Sequence, residues 1–270
     1  MIARTLVVGD DKKDVIKRVA RDARLLLVEV LAQTECAHVA LTGGSVGIGV
    51  LEYLGATDDD APREERVDWS RVHLWWGDER WLVGGDAERN DAQAESPFLD
   101  ALPFDAHRIH RMPTSNAGLT LDEAADAYAK ELVGLLPGSS GRVASTSGSE
   151  SPGSQSATQV AQSFDVVFLG VGPDAHVASL FPGRREEAES SAIVIPVRNS
   201  PKPPPERLSL TLKAINSSAR VWLITAGSDK AEAIELALGQ SDVSAAPASA
   251  VSGRIETRVY CDRSASRAEN

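Results

Sequence analysis

Between residues 13 and 33 the chain reads KDVIKRVARDARLLLVEVLAQ, and Val15, Val19, Leu26 and Val30 recur at helical spacing on one face. The pattern predicts an amphipathic helix. Residues 37–44, AHVALTGG, are an apolar run that stops at glycines, which predicts a short buried strand, and SVGIGVLEYLG predicts the helix after it. The alternation recurs. RVHLWWGDER (71–80) reads as strand then loop, ERNDAQAESPFLDAL (88–102) as a helix interrupted near Pro97, and LTLDEAADAYAKELVGLL (119–136) as a helix. SFDVVFLGVG (163–172) and ARVWLITAG (219–227) read as strands, SDKAEAIELALG (228–239) as a helix and IETRVYCD (255–262) as a last strand. Apolar strands alternating with amphipathic helices predict an α/β fold of three layers, a mainly parallel sheet with helices on both faces. In such sheets ligands bind beyond the carboxyl ends of the strands.

One domain is expected over residues 1–262, with a Ser/Gly-rich surface insertion at about 138–163 that has almost nothing apolar to bury, and a frayed tail at 263–270. With 28 basic against 39 acidic residues the net charge is -11, which argues against a nucleic-acid partner. A phosphate site would have to be a local pocket of a few cations. Cys36 and Cys261 fit neither a disulfide framework nor a metal-ligand spacing, so a reducing cytoplasm is expected, with no metal. The first 23 residues hold no apolar run long enough for a signal peptide or a membrane span. Without an obvious apolar surface stripe, a monomer is the expectation.

Several loops carry candidate chemistry. TGGSVG (42–47) sets Gly43, Gly44 and Ser45 where a strand hands over to a helix, so backbone N–H groups could hold an anion or a carbonyl oxygen; an ordinary tight turn has the same composition. The same letters satisfy the G-x-S-x-G of a serine-hydrolase elbow with Ser45 as nucleophile, but no H-G-G-G-like oxyanion segment precedes it. GVGPDA (170–175) satisfies the loose dinucleotide fingerprint, though Pro173 stiffens the loop and the nearby acids lie in a polar stretch. WWGDERW (75–81) places Asp78, Glu79 and Arg80 just past a strand, either as a solvated cluster or as a ligand edge where Arg80 could fork onto a carbonyl or carboxylate.

FLGVGPDAHVASLFPG (168–183) runs from a strand through a Gly-Pro turn that sets Asp174 two residues before His176, and a short helix is expected after it. An imidazole there could take a proton from water near neutral pH. NSPKPPPERLSLTL (199–212) is too proline-rich for a helix before about Glu206, so a stiff extended loop should carry Lys202 and Arg207. Lys230 falls in the first turn of a helix, a poor place for a cation unless an anion binds there.

Together LTGGSVG, WWGDERW, Asn90 of ERNDAQAE, FLGVGPDAHVASLFPG, SPKPPPERLSLTL and ITAGSDKAEA resemble, in order and spacing, the 6-phosphogluconolactonases. The resemblance implies a cofactor-free enzyme that hydrolyses 6-phospho-D-glucono-1,5-lactone in the second step of the oxidative pentose phosphate pathway, on a fold shared with the glucosamine-6-phosphate deaminases. It implies His176 as general base on water and Asp174 as its partner, and Arg207 and Lys230 resemble the phosphate-holding cations of the wider fold family, with Lys202 a third candidate; for the oxyanion that lactone hydrolysis forms, Arg80 and the Gly43–Ser45 loop are the candidates. Asp78 and Asn90 fall among its substrate-binding positions. The deaminases are the rival, but they carry a glutamate where this chain has Phe181. A serine esterase using Ser45, or a sugar-phosphate binder without catalysis, are the remaining alternatives. One departure stands out: the family's glycine between aspartate and histidine is Ala175 here, which costs stability or shifts His176 if that position needs positive φ.

Overall fold

The computed structural model describes residues 3–58, 60–136, 163–239 and 242–266. The Ser/Gly-rich stretch therefore lies outside the described residues, apart from Ser163. A six-stranded parallel sheet forms the centre, in the order β1-β9-β8-β5-β2-β3. Its strands are β1 (Arg4–Gly9), β2 (Ala37–Leu41), β3 (Val72–Trp76), β5 (Val166–Gly170), β8 (Arg220–Ile224) and β9 (Glu256–Asp262). All five residues of β2 are buried, so both of its faces are covered, as the unbroken apolar run foretold.

Helix α1 (Lys12–Leu31) starts where Asp11 accepts the Asp14 N–H at 2.8 Å, and it buries Val15, Val19, Leu26 and Val30. Helix α2 (Gly44–Thr57) follows β2 after two residues. Helix α3 (Asn90–Ala94) passes into a π-helical turn over Glu95–Leu99, where Pro97 removes a donor N–H and breaks the predicted helix. Helix α4 (Leu121–Leu135) begins at a reciprocal Thr120–Glu123 capping box. Among the described residues no helix is long and apolar enough to cross a membrane.

Three expectations need correction. A second, antiparallel sheet of β4 (Asp78–Arg80), β7 (Arg207–Leu210) and β6 (Val194–Val197) forms from segments of three or four residues, too short to show a period; the first two are read above as loops and the third is assigned no element. The short helix after β5 comes later than the turn itself: the chain turns repeatedly, with Ala175 at φ 59° and Ala178 at φ 48°, a left-handed conformation no α-helix continues, and only Arg185–Ala188 is helical. Of the tail expected to fray, Arg263–Ser266 is a helical turn with Ala265 buried, where Asp262 accepts the Ala265 N–H at 3.0 Å, and 267–270 lie outside the described residues.

Where β2 and β3 begin, at the end of the sheet opposite their carboxyl termini, parallel register makes His38 and His73 neighbours, and their rings stack at 4.4 Å. Cys36 joins them, with its ligand atom and theirs within 4.8 Å of one another, a grouping that sequence spacing did not reveal. The hydrogen bonds fix what these rings are doing. Trp75 Nε1–H can only donate, so it claims the His38 Nδ1 lone pair at 3.2 Å, and Arg108 likewise claims His73 Nε2 at 3.1 Å. His73 Nδ1 then donates to His110 Nε2 at 2.8 Å, and His110 Nδ1 to the Glu131 carboxylate at 2.6 Å. The rings of His38 and His73 are thus held neutral in a closed chain, with their lone pairs already spent. Burial, with the neighbouring histidines and Arg108, pushes His38 down to about 3 and His73 to about 4.

Unfolded histidine titrates near about 6.5. On acidification from there the unfolded chain takes up protons that the folded cluster refuses, so stability falls between roughly pH 6.5 and 4. Thermal unfolding across that range should show a falling Tm, with a shallower fall in His38→Gln. Equal slopes in the two proteins would place the acid sensitivity elsewhere.

Candidate active site

Strand winding reverses around β2: β3 lies on one side of it and β5, then β8, on the other. The loops leaving the carboxyl ends of β2, β5 and β8 meet the 199–206 loop and β4 around an open cavity of about 200 Å³. This is the topological switch point where such sheets bind ligands. Thr42 Oγ1 accepts the Gly170 N–H at 3.2 Å, tying the ends of β2 and β5 together at its floor.

The turn after β5 presents Asp174 and His176. Gly172 N–H donates to the His176 carbonyl at 3.0 Å and Ala175 N–H to the Gly172 carbonyl at 2.9 Å, which closes a tight loop. Within it the Asp174 Oδ1 to His176 Nδ1 distance is 2.6 Å. The carboxylate therefore accepts the Nδ1–H hydrogen bond, which leaves a lone pair on Nε2, on a ring that borders the cavity and rests on Phe181 at 4.7 Å. Burial lowers the His176 pKa from its usual value, and Lys202 adds to this against the pull of Asp174. Asp174 itself sits below the usual carboxylate range: burial pushes it up, but its bonds and charge interactions with His176 and Lys202 outweigh that. Ala175, where glycine was expected, does adopt positive φ, and the pair still closes.

Across the cavity, Arg80 is held through Nη1 by the Glu88 carbonyl at 2.7 Å and by Asn90 Oδ1 at 2.6 Å. Asn90 in turn donates from Nδ2 to the Asp78 carbonyl at 2.8 Å and packs against Gly43, where an added Cβ would lie 1.9 Å from Asn90 Oδ1. Beneath them Glu79 is buried and accepts three backbone N–H groups, from Arg80, Asn90 and Asp91, at 2.7 to 2.9 Å. Burial pushes its carboxyl up, opposed by the Arg89 guanidinium 3.8 Å away. Arg89 is fully buried and forks onto Asp91 at 2.8 and 2.9 Å. Glu79 thus supports the loop rather than facing the cavity. Sequence reading missed the Arg89–Asp91 fork because a charged run ordinarily faces water.

Asp78 borders the cavity, and its Oδ2 accepts from Ser179 Oγ at 2.7 Å, pinning the turn after β5 to β4. Lys230 borders it too, at the residue before the helix Ala231–Leu238, 3.3 Å from Asp229. Arg207 is buried and directs Nε to the carbonyl of Pro204 at 3.1 Å and Nη2 to those of Lys202 at 3.1 Å and Pro203 at 2.8 Å, while Nη1 stands 3.5 Å from Ser179 Oγ. Ser45 is exposed in the first turn of α2, and the strained φ of +79° belongs to Gly44. The structure thus gathers Gly43, Gly44, Asp78, Arg80, Asn90, His176, Lys202, Arg207 and Lys230 around one cavity with Asp174 behind His176, and leaves Ser45 outside its lining.

The family described as glucosamine-6-phosphate isomerases/6-phosphogluconolactonase matches residues 10–260. The chain belongs to this family. It is 42% identical over 262 residues to the 6-phosphogluconolactonase of Streptomyces coelicolor, covering 96% of this chain and 92% of that one. It is 36% identical over 261 residues to the 6-phosphogluconolactonase of Mycobacterium leprae, covering 96% and 95%. In fold it matches the solved 6-phosphogluconolactonase of Trypanosoma brucei with a TM-score of 0.79, at 23% identity and 99% coverage of both chains. A monomeric glucosamine-6-phosphate deaminase matches with a TM-score of 0.74, at 19% identity, covering 97% of this chain and 99% of that one. Both branches of the family share the fold, so the side chains in the cavity have to separate them. Phe181, which stands where the resemblance puts a deaminase glutamate, is a buried ring packed against the His176 imidazole.

Proposed function

We propose that this chain hydrolyses 6-phospho-D-glucono-1,5-lactone to 6-phosphogluconate with a water activated by His176. The carrying observation is the Asp174–His176 pair, closed at 2.6 Å at the mouth of the sheet with Nε2 left as a base. As water attacks the lactone carbonyl carbon, Nε2 takes one proton and Asp174 steadies the imidazolium. Arg80, fixed by Asn90 and Glu88, and the N–H groups of the Gly43–Gly44 turn are placed to meet the developing oxyanion. The ring C–O bond then breaks, and the departing oxygen takes the proton back from Nε2. The acid product releases its own proton to water.

The deaminase reading lacks its carboxylate, and among the described residues no base is bonded to Ser45 to support the serine-esterase reading. The test is the decay of freshly generated 6-phosphogluconolactone, corrected for spontaneous hydrolysis, beside ammonia release from glucosamine 6-phosphate. Rapid lactone loss without ammonia is expected; ammonia release would restore the deaminase reading.

Lys230, about four-fifths buried at the cavity, is the cation we assign to the phosphate first, because Arg207 directs Nε and Nη2 to carbonyls and keeps only Nη1 off them. A charge-assisted contact of about 1.5–3 kcal/mol corresponds to roughly a ten- to hundred-fold effect. Lys230→Met should therefore raise KM for the phosphorylated lactone by about that factor and change hydrolysis of gluconolactone little. Equal effects on both substrates would remove the phosphate role.

A further inference from the structure

We propose that Lys202 is a positioning residue for the Asp174–His176 pair, one that pins the carboxylate and holds the imidazole neutral until water delivers its proton. This inference rests on the lactonase reading of the site but assigns Lys202 a role other than the phosphate contact expected from the sequence.

The geometry starts with the backbone. Arg207, at the start of β7, turns its guanidinium back onto the carbonyls of Lys202, Pro203 and Pro204, so a buried, permanently charged fork staples the proline-rich loop from below. Ser200 N–H donates to the Pro205 carbonyl at 2.9 Å, and Lys202 N–H to Ser200 Oγ at 3.2 Å, which closes the loop from within. Arg207 is thereby the frame that presents Lys202.

From that anchored backbone the Lys202 Nζ reaches Asp174 Oδ1 at 3.1 Å and stands 3.2 Å from His176 Nδ1. One carboxylate oxygen therefore receives two donors, the imidazole N–H at 2.6 Å and the ammonium. Two donors do not bond each other, so the closeness of Nζ to Nδ1 is a contact of a full positive charge with a ring about to become positive. Asp174 alone would invite a resting proton onto Nε2 and block the base. Lys202 offsets that pull while fixing the rotation of the carboxylate. Asp78 from β4 adds a more distant negative charge, Arg207 lies over the Phe181 ring at 5.8 Å, and Arg80 and Lys230 border the same cavity. Of these, Lys202 is the cation bonded to Asp174.

The test is a histidine-selective NMR titration of the full chain, with the His176 resonance identified by its loss in His176→Gln. In Lys202→Met the His176 pKa should rise by about half to one unit, a charge effect at this range reduced by solvent at a partly exposed ammonium. Lys202→Arg should restore it. An unchanged pKa in Lys202→Met overturns the proposal, and because this readout needs no turnover, it holds even if the lactonase reading fails. Kinetics then separate the roles. Lys202→Met should move the acid limb of kcat/KM upward and lower kcat about ten-fold on phosphorylated lactone and gluconolactone alike, as expected when a base is loosened in its seat. A rise confined to KM for the phosphorylated lactone, with the limb in place, would make Lys202 a phosphate cation and overturn the positioning role. Wild-type protein inactive on both lactones would instead remove the lactonase reading.

Discussion

His176→Ala is expected to lower lactone turnover by about 10²- to 10⁴-fold, the usual worth of a positioned general base. The loss should fall on kcat, because the proposed role of His176 is to take a proton from the attacking water rather than to hold the substrate. Its side chain is about one-sixth exposed and packs on Phe181, so removing the ring leaves a space at the mouth rather than a hole in the core. The fold should survive, and circular dichroism with thermal unfolding checks that. Near-normal turnover in a folded His176→Ala protein would take the imidazole out of the mechanism.

Gly172→Ala should do nearly as much damage through a single methyl group. A Cβ at Gly172 would lie 2.0 Å from His176 Nδ1 and 2.5 Å from Asp174 Oδ1, in the space the hydrogen bond occupies. Gly172 is not among the positive-φ positions, so alanine meets no backbone penalty and the conflict is borne by the pair alone. Either the ring or the carboxylate must move by an ångström or more, and a displacement of that size at a reacting group costs about 10²-fold. The expected result is a fall of that order in kcat/KM with Tm within a few degrees of wild type. Wild-type turnover would mean that the 2.6 Å contact between Asp174 and His176 is dispensable.

The same residues explain what could be read beforehand. Five strands of the parallel sheet and helices α1, α2 and α4 were legible as short apolar runs and longer helical stretches, whereas β1, an edge strand with only its last residue buried, was not read as a strand. The β4-β7-β6 sheet left no such record, since each strand is three or four residues long, β4 and β7 begin in charged or proline-rich text and β6 is interrupted by Pro196. Asp174 and His176 were legible because they share one turn. Arg207 and Lys202 were legible as cations on a stiff loop, but their division of labour was not. Which one frames the loop and which one touches the pair depends on carbonyl directions that only the folded backbone fixes. Glu79, Arg89 and Asp91 look like solvated charge in the sequence and become a buried support only when β4 and α3 meet.

The central claim is that water activated by His176 opens the lactone. Its most direct test is the rate of 6-phosphogluconolactone loss, corrected for spontaneous hydrolysis, measured side by side for wild type, His176→Ala and Ser45→Ala. The expected result is rapid loss with wild type, near-background loss with His176→Ala and little change with Ser45→Ala. Background loss with wild type, or a collapse with Ser45→Ala while His176→Ala stays active, would contradict it.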